Sequence, residues 1–189
     1  MIMRLRPLFA IALAAASTTT ALAQPVPSGK EGALANLLAP THNASVCYAR
    51  TYDAAHLKQH PQQTVTQMLF RLRYYDHRKD KADPAEQQNY YFSLAVKQKG
   101  RAKTLRADGE CAPTANGIRC GVECDGGGVN LTQDLKTNTL LIDLTKDGRI
   151  RMTEGCDEEI NAVELTPGAD DRSFRLSKAD AGVCRGLAK

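Results

Sequence analysis

The stretch Cys111–Gly128 reads Cys-Ala-Pro-Thr-Ala-Asn-Gly-Ile-Arg-Cys-Gly-Val-Glu-Cys-Asp-Gly-Gly-Gly, and it holds three of the six cysteines and the only run of three glycines. Its middle part alternates apolar and polar residues with a period of two, which predicts a β-strand. The apolar face of this strand carries Ile118, Cys120, Val122 and Cys124. Asp125 and the glycines that follow predict a turn or bulge, where the backbone needs a positive φ or a close approach.

The spacing of these cysteines restricts their disulfide partners. Residues four apart on one strand are separated by about 13 Å, whereas a disulfide needs Cα atoms within about 7 Å of each other. Cys120 and Cys124 are therefore predicted to bond to different partners. An even number of cysteines is typical of a disulfide framework in an oxidising compartment, and the alternative is free buried thiols. We predict the pairs Cys111–Cys120, Cys124–Cys156 and Cys47–Cys184.

The first 23 residues have the composition of a signal peptide. Arg4 and Arg6 give a positively charged start, and residues 8–16 form an apolar run too short to span a bilayer. Ala21-Leu22-Ala23 then gives the small-x-small pattern of a cleavage site. We therefore expect export to the periplasm or the extracellular space; a short buried helix is the alternative. No later segment reaches about 20 uncharged apolar residues, so we expect no transmembrane anchor after cleavage.

The charge balance of the mature chain is close to neutral. Removal of Arg4 and Arg6 reduces the 25 basic residues to 23, against 21 acidic residues. No stripe of basic residues interleaved with aromatic residues is present, so we expect no nucleic-acid partner. The length that remains suits one domain of ordinary size, which we expect to be a monomer.

The mature chain divides into a lead-in and one domain. Residues 24–43 contain Pro, Gly and Ala and predict a flexible lead-in, and residues 44–189 predict a single β-domain. Asp53 is placed to cap a short helix over Ala54–Gln59, which must end before Pro61. The charged run over residues 76–86 predicts a solvated loop.

From Thr64 onward, the apolar residues recur at every second position, which predicts a series of strands. In two long strands the inward positions are Thr66, Met68, Phe70, Leu72 and Tyr74, then Tyr90, Phe92, Leu94 and Val96. In a later strand Leu140, Ile142 and Leu144 point inward, and a turn at Asp147-Gly148 predicts a return through Ile150 and Met152. A last strand carries Phe174 and Leu176 before Cys184.

About eight short strands separated by turn residues indicate an all-β fold. Alternation with one polar face is typical of antiparallel sheets and argues against a parallel α/β sheet. We predict a small antiparallel β-barrel or sandwich, stapled by disulfides and preceded by a short N-terminal helix.

The sequence contains no established catalytic motif. His56 and His60 are spaced to share a face of a helix, but Leu57 stands where a zinc protease has its glutamate, so we predict no metal site and no cofactor. No Cys-x-x-Cys redox motif and no Gly-x-Ser-x-Gly motif is present. The remaining enzymatic alternative is a small hydrolase that uses His56 or His60 with a distant carboxylate.

Tyrosines at strand ends are the main candidates for a binding surface, because they combine an apolar ring with a polar hydroxyl. The predicted binding residues are Tyr48, Tyr52, Tyr75 and Tyr91, together with the turn residues Asp125, Gly126, Gly127 and Gly128. The loop between Cys111 and Cys120 is a further candidate, since a crosslinked loop loses less entropy on docking.

These patterns favour a non-enzymatic, exported binding domain for a protein or a small apolar ligand. An inhibitor-like module is one form of such a domain. A structural envelope protein without a discrete site is a further alternative, and a fold by itself does not choose among these functions.

Overall fold

The alternating segments of the sequence fold as antiparallel strands. The computed structural model describes residues 26–79, 88–123, 125–152 and 163–187. In chain order the strands are β1 Ser45–Thr51, β2 Val65–Asp76, β3 Gln88–Gln98, β4 Leu105–Thr114, β5 Gly117–Gly121, β6 Gly128–Asp134, β7 Thr139–Asp143, β8 Ile150–Arg151, β9 Glu164–Leu165 and β10 Ser173–Ala179. The helices are α1 Ala33–Leu37 and α2 Ala54–Gln59, and two 3₁₀ segments cover His77–Lys79 and Ala181–Leu187.

Eight of the strands close into an antiparallel barrel. The order around the barrel is β1-β10-β7-β6-β5-β4-β3-β2. Strands β1 to β7 follow one another around the wall, and β10 closes it by pairing with β7 on one side and β1 on the other. The predicted all-β fold is confirmed, and of the two predicted architectures the structure has the barrel.

The interior of the barrel is occupied by apolar side chains. Along β2, every second residue from Met68 to Tyr74 is buried, as the alternation predicts, and the residues between them are half-buried on the outer wall. The largest fully buried side chains are aromatic: Tyr48, Phe70, Tyr90, Phe92 and Phe174. A barrel of eight strands is just wide enough for its side chains to fill.

The segment before β1 covers one end of the barrel. Val26, Leu34 and Leu37 are buried in the same cluster as the barrel interior. The Tyr90 hydroxyl donates a hydrogen bond to the carbonyl of Leu38 (3.1 Å) and holds α1 in place. This segment therefore adds apolar side chains to the barrel core, because they lose contact with water by covering the open end.

The small sheet of β8 and β9 contributes to the same core from the segment between β7 and β10. Ile150, Met152 and Leu165 are buried in the interior cluster. The predicted return of the chain at Asp147-Gly148 into a hairpin with the preceding strand is wrong, since β8 pairs with β9. The physical reason is that both edges of β7 are already occupied, by β6 and β10.

Strand β5 ends earlier than the alternation predicts. Its last residue is Gly121, and the Val122 N–H donates to the carbonyl of Gly127 (3.0 Å) across a turn. The predicted continuation of the strand through Val122 is therefore wrong, because the glycine run turns the chain back at this point.

Two of the three predicted disulfides are present in the structure. Cys111 and Cys120 are opposite residues of β4 and β5, with Cα atoms 4.0 Å apart, and their side chains lie in the core. Cys47 and Cys184 join β1 to the last 3₁₀ segment, with Cα atoms 5.8 Å apart. The predicted pair of Cys124 and Cys156 lies outside the described residues.

The disulfide between Cys47 and Cys184 is part of a second, smaller cluster on the outer wall. Cys184 and Leu187 of the last 3₁₀ segment pack against Ala95 of β3. The Arg106 guanidinium donates a hydrogen bond to the carbonyl of Gly186 (2.8 Å) and fixes the end of this segment. The disulfide therefore attaches the C-terminal part of the chain across three neighbouring strands, β1 to β3.

We expect the two disulfides to differ in their contribution to stability. Cys47 and Cys184 are 137 residues apart in sequence, whereas Cys111 and Cys120 are 9 apart. On the chain-entropy model, replacing the first pair by alanine lowers the free energy of unfolding by about 5 kcal/mol, and replacing the second pair lowers it by about 2.5 kcal/mol. Urea unfolding of the two double variants measures the difference, and equal losses contradict the expectation.

Two glycines with nearly the same backbone conformation should respond differently to alanine. Gly127 has φ +71°, and a Cβ there would overlap the carbonyl oxygen of Arg149; Gly148 has φ +72°, with open space around it. We expect Gly127→Ala to lower the free energy of unfolding by about 3 kcal/mol or more. The matched control Gly148→Ala should cost about 1 kcal/mol. Thermal and urea unfolding check both values, and a similar loss for the two variants contradicts the close approach.

Candidate binding surface

A group of aromatic and basic side chains meets on the outer wall, where β2 ends and β3 begins. We call His42, Arg73, Tyr75, His77 and Tyr91 the aromatic surface. Arg73 and Tyr91 are opposite each other on β2 and β3, and Tyr75 follows two residues after Arg73 on the same face. His77 lies in the 3₁₀ segment after β2, and His42 lies in the segment before β1.

The rings of this surface contact one another in a row. The His42 and Tyr75 ring centroids are 4.7 Å apart, and the Tyr75 and His77 centroids are also 4.7 Å apart. His77 Nε2 and the Tyr91 hydroxyl are hydrogen-bonded at 2.7 Å. His42 Nδ1 accepts a hydrogen bond from the Asp76 N–H (3.2 Å), which orients its ring. The row therefore presents four rings whose positions are fixed by mutual contact.

Arg73 adds a positive charge that is held in place. Its guanidinium carbon lies 4.4 Å from the centroid of the Tyr75 ring, the geometry of a cation–π contact. One of its nitrogens donates a hydrogen bond to Asn43 Oδ1 (2.8 Å). Because stacking and hydrogen bonding restrict its rotamers, less side-chain entropy remains to be lost when Arg73 binds a ligand.

Glu110 of β4 lies beside the aromatic surface, opposite Tyr91. Burial raises the pKa of its carboxyl group, and the charge of Glu123 raises it further. A hydrogen bond from Asn89 and the charge of His77 act in the opposite direction with smaller effect. The negative charge of Glu110 is therefore less favourable here than in water.

A second ring cluster lies near the start of α2. The sequence correctly predicts this helix and its cap, since Asp53 Oδ1 accepts a hydrogen bond from the His56 N–H (2.8 Å). The His56 and His60 rings stack with centroids 4.4 Å apart, and Tyr52 lies 4.7 Å from His56 on the other side.

The polar partners of this second cluster show what its histidines can do. His56 Nε2 is 3.0 Å from Gln63 Oε1, and the Gln63 amide donates to the carbonyl of Val65 (2.7 Å), so His56 is the donor. His60 Nδ1 is 4.0 Å from the nearest Asp170 oxygen, beyond hydrogen-bond distance. A hydrolase of the predicted kind needs a histidine that is hydrogen-bonded to a carboxylate. The hydrolase alternative stays a prediction. In the part of the chain that the structure describes, no group of three His, Cys, Asp or Glu side chains is placed to hold a metal ion.

The carboxylate beside Asp170 has a structural partner. Asp171 is buried, and one of its oxygens accepts hydrogen bonds from the Thr64 N–H (2.7 Å) and the Thr64 hydroxyl (2.6 Å). These bonds hold the start of β2 to the segment before β10.

The structure separates the four predicted tyrosines. Tyr75 and Tyr91 lie together in the aromatic surface, and Tyr52 lies in the second cluster near α2. Tyr48 is 1% exposed and belongs to the interior cluster, so its predicted surface position is wrong. The reason is its parity on β1, where it lies two residues after the inward-facing Val46.

The predicted turn residues serve mainly to bring two backbone segments together. Asp125 is exposed with φ 58°, whereas Gly126 and Gly128 are buried. The Gly128 N–H donates to the carbonyl of Arg149 (2.9 Å), and the Arg151 N–H donates to the carbonyl of Gly126 (2.7 Å). These glycines therefore allow β8 to approach the barrel wall, and Asp125 is the member of the set that is open to solvent.

A wide-mouthed groove of about 420 Å³ lies at the turn between β3 and β4. It is lined by Thr64, Gln98, Lys99, Gly100, Arg101 and Ala102. The Thr64 hydroxyl already donates a hydrogen bond to Asp171, and the residues that line the groove include no aromatic side chain. The aromatic surface is therefore the better candidate for recognition.

Comparisons with protein-family models, with curated proteins and with solved structures each give no match to this chain. Among the described residues, none of the helices is long and apolar enough to cross a membrane. The aromatic surface, the signal-peptide pattern and the two disulfides are therefore the features that bear on function.

Part of the aromatic surface can be predicted from the sequence. The alternation of β2 places Arg71, Arg73 and Tyr75 on one polar face, so this part is visible from the sequence. The sequence does not indicate that His42 and His77 lie next to the tyrosines, because both histidines lie outside the strands, in segments whose position depends on the barrel.

We expect Glu110→Gln to stabilise the protein at neutral pH. Because the folded-state pKa of Glu110 is raised, the folded state binds the carboxyl proton more tightly than the unfolded state does. This tighter binding adds to the free energy of unfolding below the ordinary pKa, and the addition is lost as the pH rises through the raised pKa. The variant should therefore have a higher free energy of unfolding than the wild type at about pH 7 and a similar one at about pH 4. Glutamine keeps an oxygen that can accept the hydrogen bond from Asn89.

Urea unfolding at the two pH values measures this difference, and NMR titration of the Glu110 carboxyl group measures its pKa directly. The control Glu123→Gln should lower the pKa of Glu110, because it removes the neighbouring negative charge. A Glu110 pKa at or below the ordinary value for glutamate would contradict this account.

Proposed function

We propose that this protein is an exported, non-enzymatic binding domain that recognises a protein partner through the aromatic surface. The contact of four rings and one stacked guanidinium group on the outer wall is the observation that carries this proposal. Aromatic residues and arginine are the residue types most often found at the centre of protein interfaces.

Export is supported by two independent features. The first 23 residues have the three-part pattern of a signal peptide. Two disulfides join residues of the described chain, and such bonds persist in oxidising compartments. The proposed compartment is therefore the periplasm or the extracellular space.

The filled interior favours recognition on the outer wall over the binding of a small apolar ligand inside the barrel. Tyr90, Phe92 and Phe174 are almost fully buried there, and the segments that hold Leu34 and Ile150 add to the same core. A small ligand inside the barrel would have to displace these side chains, and protein interiors are normally close-packed.

The hairpin of β4 and β5 is a second surface on which an inhibitor-like contact would be built. Its tip, Thr114–Gly117, carries the exposed Ala115 and Asn116, and the disulfide of Cys111 and Cys120 crosslinks the strands behind it. A crosslinked tip loses less conformational entropy on docking. This surface and the aromatic surface can be tested in the same experiment.

Site-specific photocrosslinking in cells that produce the protein is the test. A benzophenone amino acid is placed at Tyr91, at Asn116 or, as a control on the outer face of β6, at the exposed Thr132. We expect a discrete crosslinked protein from position 91 and none from position 132. A crosslink from position 116 alone would move the proposal to the hairpin, and no crosslink from either position would overturn it.

Replacement of the surface rings should then remove the captured partner. The double variant Tyr75→Ser and Tyr91→Ser is expected to reduce partner recovery by about tenfold or more, since each ring removed from an interface centre costs at least about 1 kcal/mol. The control Leu135→Ser removes an apolar side chain that is 69% exposed at the turn between β6 and β7. Equal recovery with all variants would contradict the proposed surface.

A further inference from the structure

Two guanidinium groups project from neighbouring outward positions of β2. Arg71 and Arg73 are separated by one residue, so their Cα atoms are about 6.6 Å apart on the same face of the strand. Arg71 is opposite Cys47 on β1 and Ser93 on β3, and Arg73 is opposite Ser45 and Tyr91. Arg73 thus belongs to the aromatic surface, and Arg71 lies directly beside it.

Neither positive charge is neutralised by a described acidic residue. Within the part of the chain that the structure describes, no carboxylate forms a hydrogen bond or an ion pair with Arg71 or Arg73. Asp108 lies in the same row of the wall, one strand beyond Ser93, and it accepts a hydrogen bond from the Ser93 hydroxyl (2.5 Å).

The positive charge of Arg71 is less favourable in its environment than it would be in water. Its side chain is half-buried beside Cys47, which belongs to the outer-wall cluster of Cys47, Ala95, Cys184 and Leu187, and this burial lowers the pKa of its guanidinium group. The charge of Arg73 lowers that pKa further, because like charges repel each other. An anion bound between the two groups would replace this repulsion with two attractive, charge-assisted contacts.

The backbone of the wall limits the kind of anion that fits. At Arg71 and Arg73, β2 is paired with β1 on one side and β3 on the other. Phosphate sites commonly use free backbone N–H groups at helix N-termini or in nests. A central strand offers none, so the backbone donors typical of a phosphate site are missing here, and the donors are the planar guanidinium forks, which bind a carboxylate through two parallel hydrogen bonds.

We propose that Arg71 and Arg73 bind a carboxylate of the protein partner, supplied by an aspartate or glutamate next to an apolar residue. The carboxylate lies between the two guanidinium groups, and the apolar neighbour packs on Tyr91 and Tyr75. Asn43 and the Tyr75 ring hold Arg73 in position before the partner arrives. That the carboxylate belongs to a protein rests on the proposed function, whereas the carboxylate site itself rests on the arginine pair.

The test uses short peptides and needs no knowledge of the partner. The purified, oxidised protein is titrated with acetyl-Leu-Asp-Leu-amide, with the matched acetyl-Leu-Asn-Leu-amide and with inorganic phosphate. NMR follows the Nε–Hε signals of Arg71 and Arg73, and Arg175 of β10 serves as an outer-wall control. We expect saturable shifts of the first two signals with the Asp peptide, and binding about tenfold weaker with the Asn peptide.

Variants separate a specific site from general charge attraction. Arg71→Gln and Arg73→Gln should each weaken binding of the Asp peptide by about fivefold or more, while the matched Arg175→Gln should leave it unchanged. Equal binding of the two peptides, equal shifts at Arg175, or no shift at all would overturn the proposal. Tighter binding of phosphate than of the Asp peptide would overturn the choice of a carboxylate.

The result is distinguishable from a failure of the proposed function. If the Asp peptide binds as expected but position 91 captures no protein, the carboxylate site stands and the protein-binding function falls. If position 91 captures a partner but the arginine signals do not respond to the peptide, the function stands and the carboxylate site falls.

Discussion

The pairing of β10 with β1 closes the barrel, and the other features of the molecule depend on this closure. Without it, β1 and β10 would each expose an edge of unpaired backbone N–H and C=O groups. The disulfide between Cys47 and Cys184 attaches the chain just beyond β10 to β1, beside the same seam. The covalent bond thus opposes separation of the two strands that come from the beginning and the end of the domain.

Closure also determines which side chains lie on the outer wall. Inside the eight-stranded barrel, Phe70, Phe92 and other large side chains form the core. The segment that holds α1 and the sheet of β8 and β9 add their apolar residues to this core. The polar and aromatic groups that remain lie on the outer wall, where Tyr91 and Arg73 are neighbours only because β2 and β3 are in register.

Local patterns in the sequence were sufficient where a feature depends on neighbouring residues. The period-two pattern of β2 from Met68 to Tyr74, the cap of α2 at Asp53 and the turn at Gly148 are all present as predicted, whereas Thr66, predicted to point inward, is half-buried because the register shifts between Val65 and Gln67. Local patterns gave wrong predictions where a segment could pair with more than one strand. The pairing of β8 and the early end of β5 depend on which edges are free, and a period-two pattern is the same for either choice.

The sequence by itself determined the all-β class and the inward and outward faces of the long strands, which follow from periodicity. Two of the predicted cysteine pairs are present in the structure, but the short reach of a disulfide argued only against bonding of Cys120 to Cys124 and did not select these pairs. Only the tertiary structure decided that the chain closes as a barrel and that His42 and His77 meet Tyr75. Those facts depend on register and closure between distant segments, which no local pattern encodes.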